Sequence, residues 1–537
     1  MFDLIIANGS VIDGTGKTRF QADVAIAGDK IARIGNPERN GSRVLDAHGC
    51  IVGPGFIDIH AHTDHSIFLN PSCESKVTQG VTTEVSGNCG DSAFPLNSAS
   101  VETNEFADAL VEAGVATDWV SMDDFLNRVE SIPKTINFAT MIGHGSVRDT
   151  VLGSDDRPSN IYEMEEMKRL IRESVARGAF GLSSGLIYPP GCYAETEELI
   201  ELAQVAVQYG GIYATHIRNE GDRMLTALDE AIRVGHEAGV PVQISHHKGC
   251  GLKARGMVKE SLRRIDNARA RGIDIWADQY PYTATSTSLA TILPIWAVDG
   301  GIQSMLDRLR DPLKRDRLRR QLARDAGIGW IADWGGWDSI VISYTNKECN
   351  KRYEGLNITE MARSMEKEPV DAVMDLLSND DGLVGVIRFA MDEADVETVM
   401  QHPTVLIGSD ATARSTSGPM SAGKPHPRSF GTFVRVLGHY ARDRGILALE
   451  EAVSKMTGKS ARRLNLLYRG VLAEGNFADI TIFDPYTVID TATYAQPFSH
   501  AKGIKYVIVN GEIVVEDGRL KDVSETAPGR VLRRGQT

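Results

Sequence analysis

The amino-acid sequence predicts an α/β protein: a (β/α)8 barrel of the TIM type with a small β-sandwich domain formed by both chain termini. Three observations lead to this prediction. Short apolar runs alternate with helix-like stretches through the middle of the 537 residues, β-type alternation marks both ends, and polar side chains follow the apolar runs. The length also exceeds what one ordinary core supports, so more than one domain is expected.

The two ends of the chain have the pattern of short strands. Near the amino terminus, residues 4–6 and 24–34 carry short runs of Leu, Ile and Val. Near the carboxyl terminus, residues 506–515 alternate around an Asn510-Gly511 turn, which is typical of a β-hairpin. We therefore expect residues 1–54 and 466–537 to form the β-sandwich domain and residues 55–465 to form the barrel.

Eight strand-like runs can be placed in the barrel region, with helix-like segments between some of them. The predicted strands are residues 56–62, 81–87, 137–143, 180–184, 212–216, 242–246, 273–279 and 405–410. The predicted helices include residues 162–177, 196–209 and 226–238. Because the interval after strand seven is too long for one crossover, we expect an inserted lobe at about 285–363 and an extra strand at 383–391 before the barrel closes.

The overall charge and composition exclude several classes of function. A formal net charge of −14 argues against general binding to nucleic acid or to anionic membranes. No uncharged apolar run approaches the roughly 18 residues of a membrane span, and the six cysteines are scattered without paired spacing. We expect a cytoplasmic protein that acts on a small molecule and contacts neither nucleic acid nor membrane.

The most informative motif is His60-Ala61-His62, at the end of the first predicted strand. Alternate side chains of a strand share a face, so the two imidazoles would project together. Active sites of such barrels lie at the carboxyl ends of the strands. Four more residues lie at those ends and complete a candidate metal site of imidazole, thiolate and carboxylate groups: Cys89, His216, His246 and Asp410.

With these residues in place, the chain resembles the amidohydrolase superfamily, in which His-x-His follows strand one, single histidines end strands five and six, and an aspartate ends strand eight. More closely, it is similar to the N-acyl-D-amino-acid deacylases (D-aminoacylases). The segments that carry this similarity are Gly87-Asn88-Cys89-Gly90, residues 181–191, Ser245-His246-His247-Lys248, Tyr280-Pro281-Tyr282-Thr283-Ala284 and His426-Pro427-Arg428. The resemblance covers nearly the whole chain and implies zinc-dependent hydrolysis of N-acyl-D-amino acids.

The resemblance also implies a division of the metal ligands into two sets. A tightly held zinc would use Cys89, His216 and His246, and a second, weaker metal site would use His60, His62 and Asp410. Many amidohydrolases bridge two metals with a carboxylated lysine on strand four. Because residues 181–184 contain no lysine, we expect the thiolate of Cys89 to serve as the anionic ligand instead.

The predicted ligands suggest a mechanism and a substrate-binding group. Asp410 would take a proton from the attacking water and deliver it to the departing amine. Arg428 and Lys248 are candidates for binding the substrate carboxylate, with Arg414 as a competitor for the role of Arg428. The resemblance adds Tyr280 and Ser286 to this group, and Tyr188 as a wall beside the substrate.

Three other functions remain open at this stage. A dipeptidase that cleaves peptides with a carboxyl-terminal D-residue uses the same bond chemistry, and these motifs do not separate it from a deacylase. A hydantoinase-like cyclic amidohydrolase would require the lysine that strand four lacks. A non-catalytic hydantoinase-like scaffold would have lost metal ligands, whereas all six candidates are present.

Overall fold

The structure, a computed structural model, describes residues 2–38, 40–96, 106–524 and 526–535. The strands are β1 (Phe2–Val11), β2 (Phe20–Ala27), β3 (Lys30–Gly35), β4 (Gly41–Asp46), β5 (Ile51–Pro54), β6 (Phe56–Asp58), β7 (Val81–Ser86), β8 (Asn137–Thr140), β9 (Ile142–Gly143), β10 (Gly181–Gly185), β11 (Ile212–His216), β12 (Val242–Ile244), β13 (Ile275–Gln279), β14 (Thr285–Ser288), β15 (Ile340–Thr345), β16 (Val384–Arg388), β17 (Val405–Ile407), β18 (Ile480–Phe483), β19 (Ile504–Val509), β20 (Glu512–Glu516) and β21 (Arg519–Leu520).

The helices are α1 (Glu74–Val77), α2 (Ala107–Glu112), α3 (Met122–Ser131), α4 (His144–Leu152), α5 (Ile161–Ala176), α6 (Thr196–Gln208), α7 (Met224–Ala238), α8 (Met257–Ala270), α9 (Ile295–Val298), α10 (Gly301–Arg310), α11 (Pro312–Ile328), α12 (Trp330–Asp333), α13 (Ile358–Ser364), α14 (Pro369–Asn379), α15 (Glu393–Gln401), α16 (Arg428–Arg435), α17 (Leu449–Met456) and α18 (Gly458–Arg463). Within the part of the chain that the structure describes, no helix has the length and apolar composition that a bilayer crossing requires.

Both ends of the chain contribute to one nine-stranded sheet. Its strand order is β21-β20-β19-β18-β5-β1-β2-β3, and β4 pairs with β1 in parallel. The two halves of the sheet meet where β18 pairs antiparallel with β5. Ile6, Val24, Ile480 and Ile508 are fully buried in the core on this sheet, so residues from both termini share one hydrophobic cluster.

The strands in the middle of the chain pair in parallel and in sequence order. One sheet has the order β6-β7-β8 and the other the order β9-β10-β11-β12-β13-β17. Only Met141 separates β8 from β9. At the opposite edges, an isolated parallel bridge joins Ala61 to Ala411, and the amide of Asp410 donates to the carbonyl of His60 over 2.8 Å. The carboxyl ends of these strands therefore face the same side of the molecule.

Three of the predicted strands end at least two residues earlier than expected. β6, β12 and β17 stop at Asp58, Ile244 and Ile407, so the predicted ligands lie on the segments that follow them. The backbone explains two of these ends, because His246 has a φ of 36° and Asp410 a φ of 52°, in the left-handed region that a strand does not contain.

The long helices follow the predicted pattern closely. Helices predicted at 162–177, 196–209 and 226–238 are confirmed as α5, α6 and α7, with ends shifted by at most two residues. The start of α5 is set by a capping box, in which the side chain of Asn160 accepts from the amide of Glu163 and the Glu163 carboxylate accepts from the amide of Asn160.

The segment after β13 forms a lobe with its own core. Strands β14, β16 and β15 make a three-stranded antiparallel sheet, and Leu289, Leu318 and Ile342 are buried in a separate cluster beneath it. The strand predicted at 383–391 is confirmed as β16. It completes the sheet of the lobe and makes no pair with the parallel strands. The lobe therefore extends beyond residue 363, as far as Arg388. An apolar run alone does not indicate which sheet a strand joins.

Phe56 connects the parallel strands to the terminal sheet and gives a first prediction. Its fully buried ring stacks on Phe433 of α16 at a centroid distance of 5.9 Å and packs against Phe483 of β18 at 6.4 Å. We expect Phe56→Ala to lower the free energy of unfolding by about 3–5 kcal/mol, because it opens a cavity among three elements.

Calorimetric or denaturant unfolding measures this change, and Phe20→Ala is the matched control. Phe20 is 44% exposed, so its replacement should change stability by less than about 0.5 kcal/mol. Equal effects of the two substitutions would contradict the packing role of Phe56.

Candidate metal centre and active-site pocket

The thiol of Cys89 lies between two imidazoles at the carboxyl ends of the parallel strands. Its Sγ atom is 3.3 Å from Nε2 of His60 and 3.3 Å from Nε2 of His246. Oδ1 of Asp410 lies 3.4 Å from Nε2 of His60 and 3.0 Å from Nε2 of His62. One ligand atom from each of His60, Cys89, His246 and Asp410 lies within 4.8 Å of the other three. The structure therefore brings residues from four chain segments to one point.

The grouping differs from the one expected from the sequence. Cys89 and His246 were assigned to one metal, and His60 and Asp410 to another, yet these four residues form one compact group. His216 groups instead with His246 and Glu220, and its ring centroid is 4.4 Å from that of His246. The two groups in the structure therefore share His246, and the first of them combines members of both expected sets.

Buried donor atoms without partners indicate that a cation fits this centre. Both ring nitrogens of His216 are buried and lack a hydrogen-bond partner among the described residues, and such groups normally have one. Together with a thiolate and further imidazoles, they form the nitrogen and sulfur donor set that zinc prefers.

The backbone at the centre is held in an unusual conformation. Cys89, His246 and Asp410 all have positive φ values, of 54°, 36° and 52°, and each costs conformational free energy that the surroundings must offset. Gly185 permits part of this arrangement, since a Cβ atom there would lie 1.9 Å from the carbonyl oxygen of Cys89. The Cys89 loop is thus pressed directly against strand β10.

Two carboxylates that the sequence analysis missed orient the histidines. Oδ1 of Asp278 lies 3.0 Å from Nδ1 of His60, and Oε1 of Glu220 lies 3.0 Å from Nδ1 of His246. At His60 the carboxylate favours the tautomer that has its proton on Nδ1 and leaves Nε2 free to bind a metal. At His246 the ammonium of Lys248 also lies near Nδ1, at 2.7 Å. Asp278 follows the pattern of the other candidates, because it lies near the end of strand β13, whereas Glu220 lies on a loop and has no comparable sequence signal.

The charges at the centre match those that a cation requires. Burial alone would raise the pKa of the Cys89 thiol, but the neighbouring His60 and His246 outweigh burial and hold this pKa well below its ordinary value. Burial would also raise the pKa of Asp410, yet the Arg428 guanidinium and the nearby histidines lower it well below the usual range. Both groups are therefore anionic near neutral pH.

A buried lysine fixes the segment that carries Asp410. Nζ of Lys76 donates to Oδ2 of Asp58 over 2.6 Å, to Oγ of Ser409 over 2.7 Å and to the carbonyl of Ala411 over 2.7 Å. Oδ1 of Asp58 in turn accepts from the amide of Ser409 over 2.9 Å. This network ties the end of β6 to the end of β17 and restrains the backbone on both sides of Asp410.

The metal centre opens into a cavity of about 1190 Å³. The predicted ligands that reach its wall are His62, Cys89, His216, His246 and Asp410, and all five predicted substrate-binding residues line it as well: Tyr188, Lys248, Tyr280, Ser286 and Arg428. His60 is fully buried beneath the wall. The cavity extends from the metal centre to the inserted lobe, which contributes Ser286 through strand β14.

Both predicted cationic residues are paired with a buried carboxylate. Nη1 of Arg428 lies 2.6 Å from Oδ2 of Asp410, beside the metal centre. The ammonium of Lys248 is ion-paired with Glu220 and also donates to the carbonyl of His246 over 2.8 Å. A substrate carboxylate would thus compete with a buried glutamate for Lys248. The competitor Arg414 does not line the cavity, and its guanidinium lies 5.5 Å from the ring centroid of Phe106.

Loss of the Asp278 carboxylate provides a test of the histidine orientation. We expect Asp278→Asn to weaken zinc binding about 10- to 100-fold, because a neutral amide no longer favours the proton on Nδ1 of His60. Competition with a chromophoric chelator measures the affinity. Glu237→Gln, which alters a half-exposed carboxylate paired with Arg233, is the control, and unchanged affinity in Asp278→Asn would contradict the role.

Comparison with known proteins places the chain in a family. The model of the amidohydrolase family matches residues 43–307 and 358–515. The D-aminoacylase of Alcaligenes xylosoxydans xylosoxydans is 38% identical over 534 residues, which cover 99% of this chain and 98% of that protein.

Two solved structures agree with this match. A D-aminoacylase structure that describes a binuclear metal centre has a TM-score of 0.83 and 37% identity, and covers 99% of this chain and 100% of its own. The N-acyl-D-glutamate deacylase of Bordetella bronchiseptica, solved with zinc and a phosphonate mimic of the tetrahedral intermediate, has a TM-score of 0.81 and 32% identity, with 99% of each chain covered. The fold is thus the α/β amidohydrolase fold of D-aminoacylase, and the chain belongs to the amidohydrolase family.

Proposed function

We propose that this protein is a zinc-dependent amidohydrolase that cleaves the amide bond of N-acyl-D-amino acids and releases a carboxylate and a free D-amino acid. The observation that carries the proposal is the group of thiolate, imidazole and carboxylate ligands at the wall of a substrate-sized cavity. The similarity to D-aminoacylase and to N-acyl-D-glutamate deacylase over nearly the full length supports the substrate class and its D-configuration.

The ligand assignment is also part of the proposal. Cys89, His216 and His246 would hold the tightly bound zinc, and His60, His62 and Asp410 would form the weaker site. The short distances from Cys89 to His60 and His246 support a thiolate that serves both sites. When bound, zinc supplies Lewis acidity, which lowers the pKa of a water molecule and polarises the amide carbonyl.

Asp410 carries the proton in this proposal. Its carboxylate faces the cavity, accepts a proton from the attacking water and delivers it to the amine, which is a poor leaving group unless protonated. Arg428, whose guanidinium also lies 4.9 Å from the ring centroid of Tyr280, would bind the substrate carboxylate beside this base. Ser286 would add a hydrogen bond and Tyr188 a wall, since both line the same cavity.

The domain arrangement that we propose follows the same comparison. The parallel strands would close into an eight-stranded (β/α)8 barrel at residues 55–465, with β8 and β9 as parts of one strand, and the bridge between Ala61 and Ala411 supports this closure. Residues 1–54 and 466–537 would form the β-sandwich domain. The six free cysteines support a reducing, cytoplasmic location.

A substrate panel tests the function directly. Purified protein is incubated with N-acetyl-D- and N-acetyl-L-amino acids and with L,D-dipeptides, and the released amine is measured. We expect hydrolysis of the N-acetyl-D-amino acids only, its loss after removal of metal by a chelator, and its return with Zn²⁺. Cleavage of the dipeptides alone would favour the dipeptidase, and inactivity of zinc-loaded protein on every compound would overturn the proposal.

Asp410→Asn tests the proton transfer. We expect kcat to fall by about 10²- to 10⁴-fold, because an amide cannot accept the proton from water. The tightly bound zinc should remain, since Cys89, His216 and His246 are unchanged. Metal analysis and steady-state kinetics measure the two effects, with Asp266→Asn at an exposed position as the control. Substantial residual turnover would contradict the role of Asp410.

A further inference from the structure

The last residue of strand β16 is a buried arginine whose guanidinium has no carboxylate partner among the residues that the structure describes. Arg388 is 5% exposed, and its Nε atom donates to Oγ1 of Thr285 over 3.1 Å. Its guanidinium carbon lies 4.2 Å from the ring centroid of Trp334, which orients the planar group. No carboxylate oxygen of the described residues lies within 4.0 Å of a guanidinium nitrogen of Arg388.

Four other buried arginines among the described residues each pair with a carboxylate. Arg148 pairs with Glu198, Arg428 with Asp410, Arg463 with Asp274, and Arg469 with Asp479. An unpaired buried charge is costly. The contrast between Arg388 and these four residues therefore requires a reason other than stability.

Arg388 lines the same cavity as the metal centre. The segment just after β16 contacts the loop that follows Lys248, because the amide of Gly251 donates to the carbonyl of Ala390 over 2.7 Å. Of the five N–H groups of the guanidinium, one is used by Thr285. The remaining donors form a fork at the lobe side of the cavity, which is a suitable partner for a planar carboxylate.

We propose that Arg388 determines substrate specificity by binding a second carboxylate of the substrate, in addition to the α-carboxylate. This inference rests on the proposed function, because it concerns the substrate of the same site. The second carboxylate can belong to an acidic D-side chain, as in D-glutamate, or to the far end of a dicarboxylic acyl group, as in N-succinyl compounds. In both cases the substrate carboxylate would pair with the Arg388 guanidinium, which has no carboxylate partner among the described residues.

Kinetics on matched substrates test the proposal. The side-chain pair is N-acetyl-D-glutamate and N-acetyl-D-glutamine, its isostere with an uncharged side chain, and the acyl pair is N-succinyl-D-leucine and N-acetyl-D-leucine. We expect wild-type kcat/KM to favour the dianionic member of one pair by about 10- to 150-fold, the range for hydrogen bonds to a charged group. Arg388→Met should abolish that preference and leave the monoanionic substrates within threefold of wild type. The pair that responds identifies the position of the carboxylate.

Two further variants separate recognition from packing. Arg388→Lys keeps the charge without the fork and should restore part of the preference. Arg317→Met is the matched control, because the guanidinium of Arg317 also lies over a tryptophan of the lobe, 3.9 Å from the ring centroid of Trp296, but outside the cavity. It should leave both preferences unchanged.

The outcomes distinguish this inference from the proposed function. Hydrolysis of N-acetyl-D-leucine without a preference for either dianionic substrate, or an equal loss on all four substrates in Arg388→Met, would overturn the role of Arg388 alone. If no N-acyl-D-amino acid is hydrolysed, calorimetric binding of the same four compounds is the test. Tighter binding of the dianionic member of one pair that is lost in Arg388→Met supports the carboxylate site, and equal binding within both pairs overturns it.

Discussion

The contact of one thiolate with imidazoles from different chain segments is the interaction on which the active-site architecture depends. Cys89 can approach His60 and His246 only because its loop adopts a left-handed backbone against the bare backbone of Gly185. The lysine network around Asp58 then holds the facing segment in place. The strained backbone of the Cys89 loop is thus offset by its surroundings, and buried ion pairs hold the facing segment. Together they form an arrangement of ligands that neither segment would adopt alone.

The existence of the helices and strands was predicted more accurately from the sequence than the residues at which they end. Helix α5 was found within one residue, since its apolar spacing and its cap at Asn160 are local signals. The predicted strand ends at His62, His246 and Asp410 were placed too late, because a tertiary cluster rather than a local preference turns the chain there. The sheet that β16 joins was not predicted, because strand pairing is decided by partners distant in sequence.

The residues of the candidate site also divide into those that could be predicted from the sequence and those that could not. Residues in recognisable motifs at strand ends could be listed from the sequence, and the structure brings them together around one cavity. Glu220, Lys76 and Arg388 could not be found in this way, because each acts through neighbours that folding supplies. The ion pair between Lys248 and Glu220 could not be predicted from the sequence either. It means that Lys248 already has a carboxylate partner before a substrate binds.

The pairing of β5 with β18 has a consequence for biosynthesis. Strand β5 emerges from the ribosome roughly 400 residues before its partner, and at about 5–20 residues per second this delay lasts on the order of half a minute or more. Throughout that interval the β5 edge of the nascent half-sheet has exposed amides and carbonyls that can form hydrogen bonds with strands of other chains. Successful maturation therefore depends on protecting this edge until translation is complete.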